Sequence, residues 1–209
     1  MAKKVRAPRP GDQAHRSGGP EAASSCEPFP WSTGMALDSL HSLFVDELKD
    51  ILSAEKQILR AMPGMIKGAG SPKLKKAFER HREETRGQIE RLESIFASLD
   101  ERAGGKKCKG MEGLVEEGKE ILEEDGAPEV IDAAIISAAQ RIEHYEIAAY
   151  GCVIEYARLL GEKEAMRLLQ QSLREEEATD KKLTALAEGG INQAALAVDP
   201  DAEEEEEEE

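Results

Sequence analysis

The segment DAAIISAAQRIEHYEIAAYG, residues 132–151, decides the fold class of this chain. Ile135 and Ile142 lie two helical turns apart with small apolar residues between them, which is the period of an α-helix with one buried face. Glu143 and Glu146 follow at the i and i+3 positions near that face. The segment therefore predicts a long helix that carries carboxylates into a protein core.

Three further segments with helical periodicity flank this one. Together they predict four long helices, over residues 38–67, 71–100, 128–160 and 162–187. A serine–proline pair opens the second helix, which is typical of a helix N-terminus. Gly189 and Gly190 follow the last helix, and Gly104 and Gly105 lie in the connection after the second helix. Leu, Ala, Glu, Lys and Arg dominate this part of the chain, and that composition favours helix over sheet.

The lengths of the connections predict the topology. Short joints link the first helix to the second and the third to the fourth, so each pair forms an antiparallel hairpin. The connection over residues 101–126 is long enough to travel the length of a bundle, and it contains a short amphipathic stretch at 111–124. The chain is therefore predicted to be all-α, a ferritin-like four-helix bundle with one long crossover containing a short helix.

The two ends of the chain differ from its middle. Residues 1–34 are rich in Pro, Gly, Ser and charge, and we predict a disordered arm there. Residues 190–209 end in seven consecutive glutamates, which repel one another, so we predict a disordered acidic tail. The bundle is expected to occupy residues 35–189 as a single domain.

Charge and composition exclude several classes of protein. The net charge is −15, and an acidic bundle repels phosphate backbones, so the bundle is not expected to bind nucleic acid. No apolar run is long enough for a membrane span. The three cysteines are few and widely spaced, which indicates reduced thiols in a cytoplasmic protein, with Cys152 buried and Cys108 a reactive thiol among lysines in a loop.

Acidic residues fall on the inner stripe of every predicted helix. An ionised carboxylate without a partner is costly to bury, and several together repel one another. Oxygen-rich ligands with an imidazole suit iron or manganese, and two such ions could share the carboxylates. The predicted ligands are Glu55, His81, Glu84, Glu143, Glu146, Glu177 and Asp180, with Tyr150 as a neighbour of the centre.

A second interpretation needs no metal. The chain has 43 acidic residues, so a glutamate can fall on an inner stripe by chance. The alternative is a helical scaffold or interaction protein with a degenerate site, whose inner carboxylates are protonated or paired. An iron-storing cage is a third and weaker possibility.

Five segments resemble the YciE/YciF ferritin-like family across nearly all of the predicted bundle. They are LFVDELKDILSAEKQIL (43–59), SPKLKKAFERHREETRGQIERLESIF (71–96), MEGLVEEGKEILEED (111–125), DAAIISAAQRIEHYEIAAYG (132–151) and LLQQSLREEEATDKKLTALA (168–187). The resemblance implies a bacterial protein linked to stress responses and commonly dimeric, and it leaves open whether the protein is an enzyme.

The wider ferritin-like pattern implies roles for individual residues. It places a Glu on the first helix and Glu-x-x-His on the second and fourth, with Glu or Glu-x-x-Glu on the third. Glu55 matches the first position, and Glu143 with Glu146 matches the third. The second helix departs from the pattern because His81 precedes its glutamate, and the fourth because Asp180 stands where His is usual. The site implied is poorer in imidazole than a typical ferritin-like centre.

Overall fold

The structure, a computed structural model, describes residues 37–199. Within that range the chain forms helices and no strand. The helices are α1 (Leu40–Gly68), α2 (Pro72–Ser98), α3 (Lys109–Glu123), α4 (Pro128–Leu160), α5 (Lys163–Leu186) and, after a π-helical turn (Ala187–Ile191), α6 (Asn192–Leu196). The predicted disordered arm and the seven glutamates of the tail lie outside the described residues.

Local sequence explains where these helices begin and end. Ser39 caps α1, because its hydroxyl accepts a hydrogen bond from the Ser42 amide at 3.0 Å and the Ser42 hydroxyl accepts one from the Ser39 amide. Ser71 caps α2 by accepting a hydrogen bond from the Leu74 amide, and a proline follows at the first helical position. The α4 helix stops at Gly161, whose φ of 80° belongs to the left-handed region that favours glycine.

Two hairpins joined by one crossover make the bundle. Asp132, near the start of α4, accepts hydrogen bonds from the amides of Gly70 and Ser71, each at 2.7 Å. The α4 helix therefore begins at the end of the bundle where α1 passes into α2. The crossover helix α3 returns the chain to that end, and its Leu122 lies against Gly68 at the end of α1. The predicted ferritin-like topology is confirmed.

The core is divided into two apolar clusters with a polar layer between them. One cluster, around Met62, Phe78 and Ile135, fills the end at which α4 begins. The other, around Phe44 and Phe96, fills the opposite end. The buried polar side chains that lie between the two are Glu55, His81, Thr85, Gln88, Glu143, Glu146, Ser172, Glu176 and Thr179. The middle of the bundle is thus its most polar part.

Two sequence-based expectations differ from the structure here. Helical structure continues past the predicted boundary at residue 189, since the chain turns at Gly190, with φ 133°, and then forms α6. Cys152 is exposed, whereas the prediction had it buried, and Cys108 is buried. Cys108 is buried because it caps α3 and its sulfur lies 2.9 Å from the Tyr145 hydroxyl. None of the helices within 37–199 is long and apolar enough to cross a membrane.

Candidate metal centre

The polar layer brings together one imidazole and four carboxyl groups from the four long helices. Glu55 comes from α1, His81 from α2, Glu143 and Glu146 from α4, and Glu176 from α5. Each is at most 2% exposed. Because apolar clusters cover the layer on both sides, water has little access to these groups.

The spacing within the cluster suits a metal ion. Nε2 of His81 lies 3.2 Å from a carboxylate oxygen of Glu143 and 3.9 Å from one of Glu176. One ligand atom from each of these residues and from Glu146 lies within 4.8 Å of the other three. That separation is close to the distance across the coordination sphere of a single transition metal ion.

Several ligand atoms in the cluster have no hydrogen-bond partner among the described residues. Buried polar atoms are nearly always paired, so a group of unpaired ones indicates a missing partner such as an ion. The unpaired atoms are one oxygen each of Glu55, Glu143 and Glu176, both oxygens of Glu146, Nε2 of His81 and the amide oxygen of Gln88. The donor set is therefore chemically fit to hold metal.

Burial changes the protonation of the carboxyl groups. Burial, followed by the charge of Glu176, raises the pKa of Glu55 to about 8. Burial also raises the pKa of Glu143 to about 8, against a hydrogen bond with Glu176 that lowers it. The pKa values of Glu146 and Glu176 rise well above their usual range, again chiefly through burial. Without metal, the layer holds protons at neutral pH.

No lysine or arginine within 37–199 forms an ion pair with these four carboxyl groups. The charge of Arg91 lowers the pKa of Glu55, but by less than burial and the charge of Glu176 raise it. Its guanidinium is engaged at the edge of the layer, with Glu175 and with the hydroxyl of Ser172 at 3.1 Å. His81 is thus the one basic side chain inside the described cluster.

Hydrogen bonds from neighbouring side chains orient three of the ligands. The Tyr150 hydroxyl donates to one oxygen of Glu55, as its predicted position near the centre suggested. The Gln88 amide donates to one oxygen of Glu176. The Thr179 hydroxyl lies 3.3 Å from Nδ1 of His81, which leaves Nε2 facing the carboxylates.

Four of the seven predicted ligands lie in the cluster, namely Glu55, His81, Glu143 and Glu146. The other three lie outside it and are partly exposed. Glu84 pairs with Arg80 at 2.8 Å. Asp180 accepts a hydrogen bond from Gln140 at 3.0 Å and lies 3.4 Å from Nε2 of the exposed His144. Glu177 is half-buried beside Glu176, which takes the place expected for it.

Glu176 was missed as a candidate ligand because of an error of one position in the helical phase of α5. Helical spacing between Leu173 and Leu183 favours Glu177 and Asp180, but Leu173 is only partly buried. The buried positions follow each other at alternating intervals of four and three residues: Ala165, Leu169, Ser172, Glu176, Thr179, Leu183 and Leu186. A strict helical count back from Leu183 through the small residues would have found Glu176.

The comparisons with known proteins agree with this fold. Residues 39–196 match a family described as a domain of unknown function, DUF892. Protein YciF of Escherichia coli is 44% identical over 162 residues, which are 77% of this chain and 98% of YciF.

Solved structures give the same result. The crystal structure of the E. coli stress protein YciF has a TM-score of 0.72 and 44% identity, covering 75% of this chain and 99% of that one. YcfI of Rhodopseudomonas palustris has a TM-score of 0.70 and 39% identity, covering 72% and 96%. A Xanthomonas campestris protein at 22% identity and a TM-score of 0.61, covering 76% and 95%, shares the fold alone. The chain therefore belongs to the YciF family, the family of DUF892.

Proposed function

We propose that this chain is a non-haem metalloprotein that binds two iron or manganese ions in the polar layer of its bundle. The observation that carries the proposal is the set of buried ligand atoms without partners, on side chains from four helices and with no lysine or arginine paired to them within the described residues. Carboxylates with one imidazole favour iron or manganese over softer-ligand metals such as copper(I).

The residues of the polar layer have different roles in the proposed metal centre. Glu143, Glu146, Glu176 and His81 supply a compact set of ligand atoms. Glu55 adds a fourth carboxylate from α1, held in orientation by its hydrogen bond from a tyrosine. Four carboxylates can neutralise two divalent ions, which supports a dinuclear site. Such ions would supply Lewis acidity and one-electron redox chemistry, and the apolar clusters on both sides would keep bulk water away.

Comparison of neighbouring glutamates tests the proposal. Protein purified without added metal should contain about two iron or manganese ions per chain, and thermal stability should rise on adding Fe(II) or Mn(II) to the metal-free form. Glu176→Gln should lower the content to about one ion or less. Glu177→Gln, one residue further along and half-buried outside the cluster, is the matched control and should leave it unchanged.

Two results would overturn the proposal. One is less than about half an ion per chain in the unaltered protein with no change in stability on adding metal. The other is an equal loss of metal in Glu176→Gln and Glu177→Gln, since only Glu176 lies in the cluster.

A role in stress follows from the relatives, as a proposal for this chain. Escherichia coli YciF is described as a stress protein and is 44% identical. With iron or manganese bound, peroxide or oxygen would be the natural reaction partner. The free thiols of Cys108 and Cys152 support a reducing compartment such as the cytoplasm. The dimer implied by the family resemblance is a further proposal, which light scattering would test.

The raised carboxyl pKa values favour one alternative function, a non-catalytic scaffold. Glu55 and Glu143, with pKa values of about 8, are neutral at pH 7 in the metal-free protein and so need no ion for charge balance. The double variant Glu55→Gln with Glu176→Gln separates the two functions. A large gain in stability without any metal in the parent protein would favour the scaffold, whereas loss of bound metal would favour the metalloprotein.

A further inference from the structure

A groove between α2 and α5 carries a concentration of positive charge that the rest of this acidic chain does not lead one to expect. Its volume is about 450 Å³, and its floor is formed by small and apolar side chains such as Ala77, Ala178 and Leu186. Lys73, Lys76, Arg80 and Lys182 line it, against one carboxylate, that of Glu84. A basic groove on a chain of net charge −15 indicates an acidic ligand.

Three of these four cations are available to such a ligand. Arg80 is paired with Glu84 at 2.8 Å. Lys73, Lys76 and Lys182 are exposed, and none of them has a carboxylate within ion-pair distance in the part of the chain that the structure describes. Three unpaired lysines around one groove favour a ligand with several negative charges close together.

The chain itself supplies a segment of that kind, and α6, the last helix before it, lies near one end of the groove. Ala194 of α6 lines a second cavity, and Lys73, Lys182 and Leu186 line both that cavity and the groove. The described residues end at Asp199, three residues after α6. The acidic run Glu203–Glu209 then follows.

We propose that the acidic run Glu203–Glu209 binds in the groove between α2 and α5 of its own chain. Ten residues separate Asp199 from Glu209, and an extended chain of that length spans roughly 33 Å. From Lys73 to Glu84, the groove extends along α2 by about 17 Å. The segment is therefore longer than the groove, and it can lie along the groove with glutamate methylene groups over the apolar floor and carboxylates on the lysines.

Binding of this kind depends on several glutamates acting together. Single exposed ion pairs are weak, and salt screens them beyond about 8 Å at physiological ionic strength. Tethering offsets this, since a short linker gives an effective concentration in the millimolar range.

Zero-length carbodiimide cross-linking of the full chain tests the inference. At about 20 mM salt, peptides from the covalently monomeric band should join Glu203–Glu209 to Lys73, Lys76 or Lys182, and at 500 mM salt the yield should fall about fivefold or more. Lys119 on α3 and Lys163 at the start of α5 are exposed control lysines without a carboxylate partner among the described residues. They should cross-link to the run at least about threefold less.

Charge reversal at two exposed positions gives an independent readout. In Lys76→Glu with Lys182→Glu, the yield to Lys73 should fall about threefold or more, and circular dichroism should show an unchanged fold. Four results would overturn binding of the run in the groove of its own chain. Two are equal cross-linking yields at the control lysines and a yield to Lys73 that the charge reversal does not change. The others are cross-links found only in covalent dimers and the absence of any cross-link.

Discussion

Metal-free protein should lose stability as the pH rises from 5 to 8, because of the buried carboxyl groups. Glu55 and Glu143 have pKa values of about 8 in the folded protein against 4.5 ordinarily. Between those values the folded chain holds protons that the unfolded chain has released, so unfolding releases protons and a rise in pH favours it. The stabilisation that these two groups contribute is fully present below about pH 4.5. It decreases between pH 5 and 8 and is lost above about pH 8.

The size of the effect follows from the same values. One proton contributes about 1.4 kcal/mol per pH unit, so one group contributes about 4 kcal/mol between pH 5 and 8 and two contribute at most about 8 kcal/mol. That is a large share of the usual 5–15 kcal/mol of a folded domain. Urea denaturation of chelator-treated protein, followed by circular dichroism at pH 5, 6, 7 and 8, measures it directly.

Variants show whether the right groups are responsible. Glu143→Gln should reduce the pH slope by about one proton, because it removes one of the buried carboxyl groups. Adding Mn(II) at pH 8 should restore stability, because the ion replaces the protons. A free energy of unfolding that is flat or rises between pH 5 and 8 in metal-free protein would refute the reasoning.

Two further predictions concern the frame of the bundle. Asp132→Ala should lower the free energy of unfolding by about 2–4 kcal/mol, because it leaves the amides of Gly70 and Ser71 unpaired. Asp132→Asn should lower that free energy less. An alanine variant as stable as the parent protein in urea would contradict this. Gly110→Ala should destabilise by about 1–2 kcal/mol despite the better helix propensity of alanine, because its Cβ would lie 2.8 Å from the Tyr145 ring, and a raised melting temperature would count against that contact.

Much of the fold could be predicted because its signals are local. The prediction of α4 over 128–160 agrees with the observed Pro128–Leu160, since a proline opens the helix and a glycine closes it. The crossover followed from connection length alone. The helical turn after Gly190 could not be predicted, because two glycines normally end a helix and only packing against the bundle extends this one.

The candidate site was harder to predict because it depends on helical phase. Glu55, Glu143 and Glu146 lie within clear aliphatic stripes, so their burial could be read from spacing. In α5, three glutamates stand in a row at 175–177 on a helix with a polar face, and any of them fits an approximate stripe. A strict count from Leu183 selects Glu176, and the hydrogen bond from Gln88 agrees with that choice.

The division of the core into two apolar clusters sets the order in which fold and metal centre can arise. In small zinc domains the ion creates the fold, so its removal unfolds the chain. Here each end of the bundle has its own apolar packing, and the two clusters share no buried residue. The fold can therefore form first, and the proposed ions would bind afterwards. An ion could then be lost and replaced in a protein that stays assembled, and the ligands could change over evolution without loss of the scaffold.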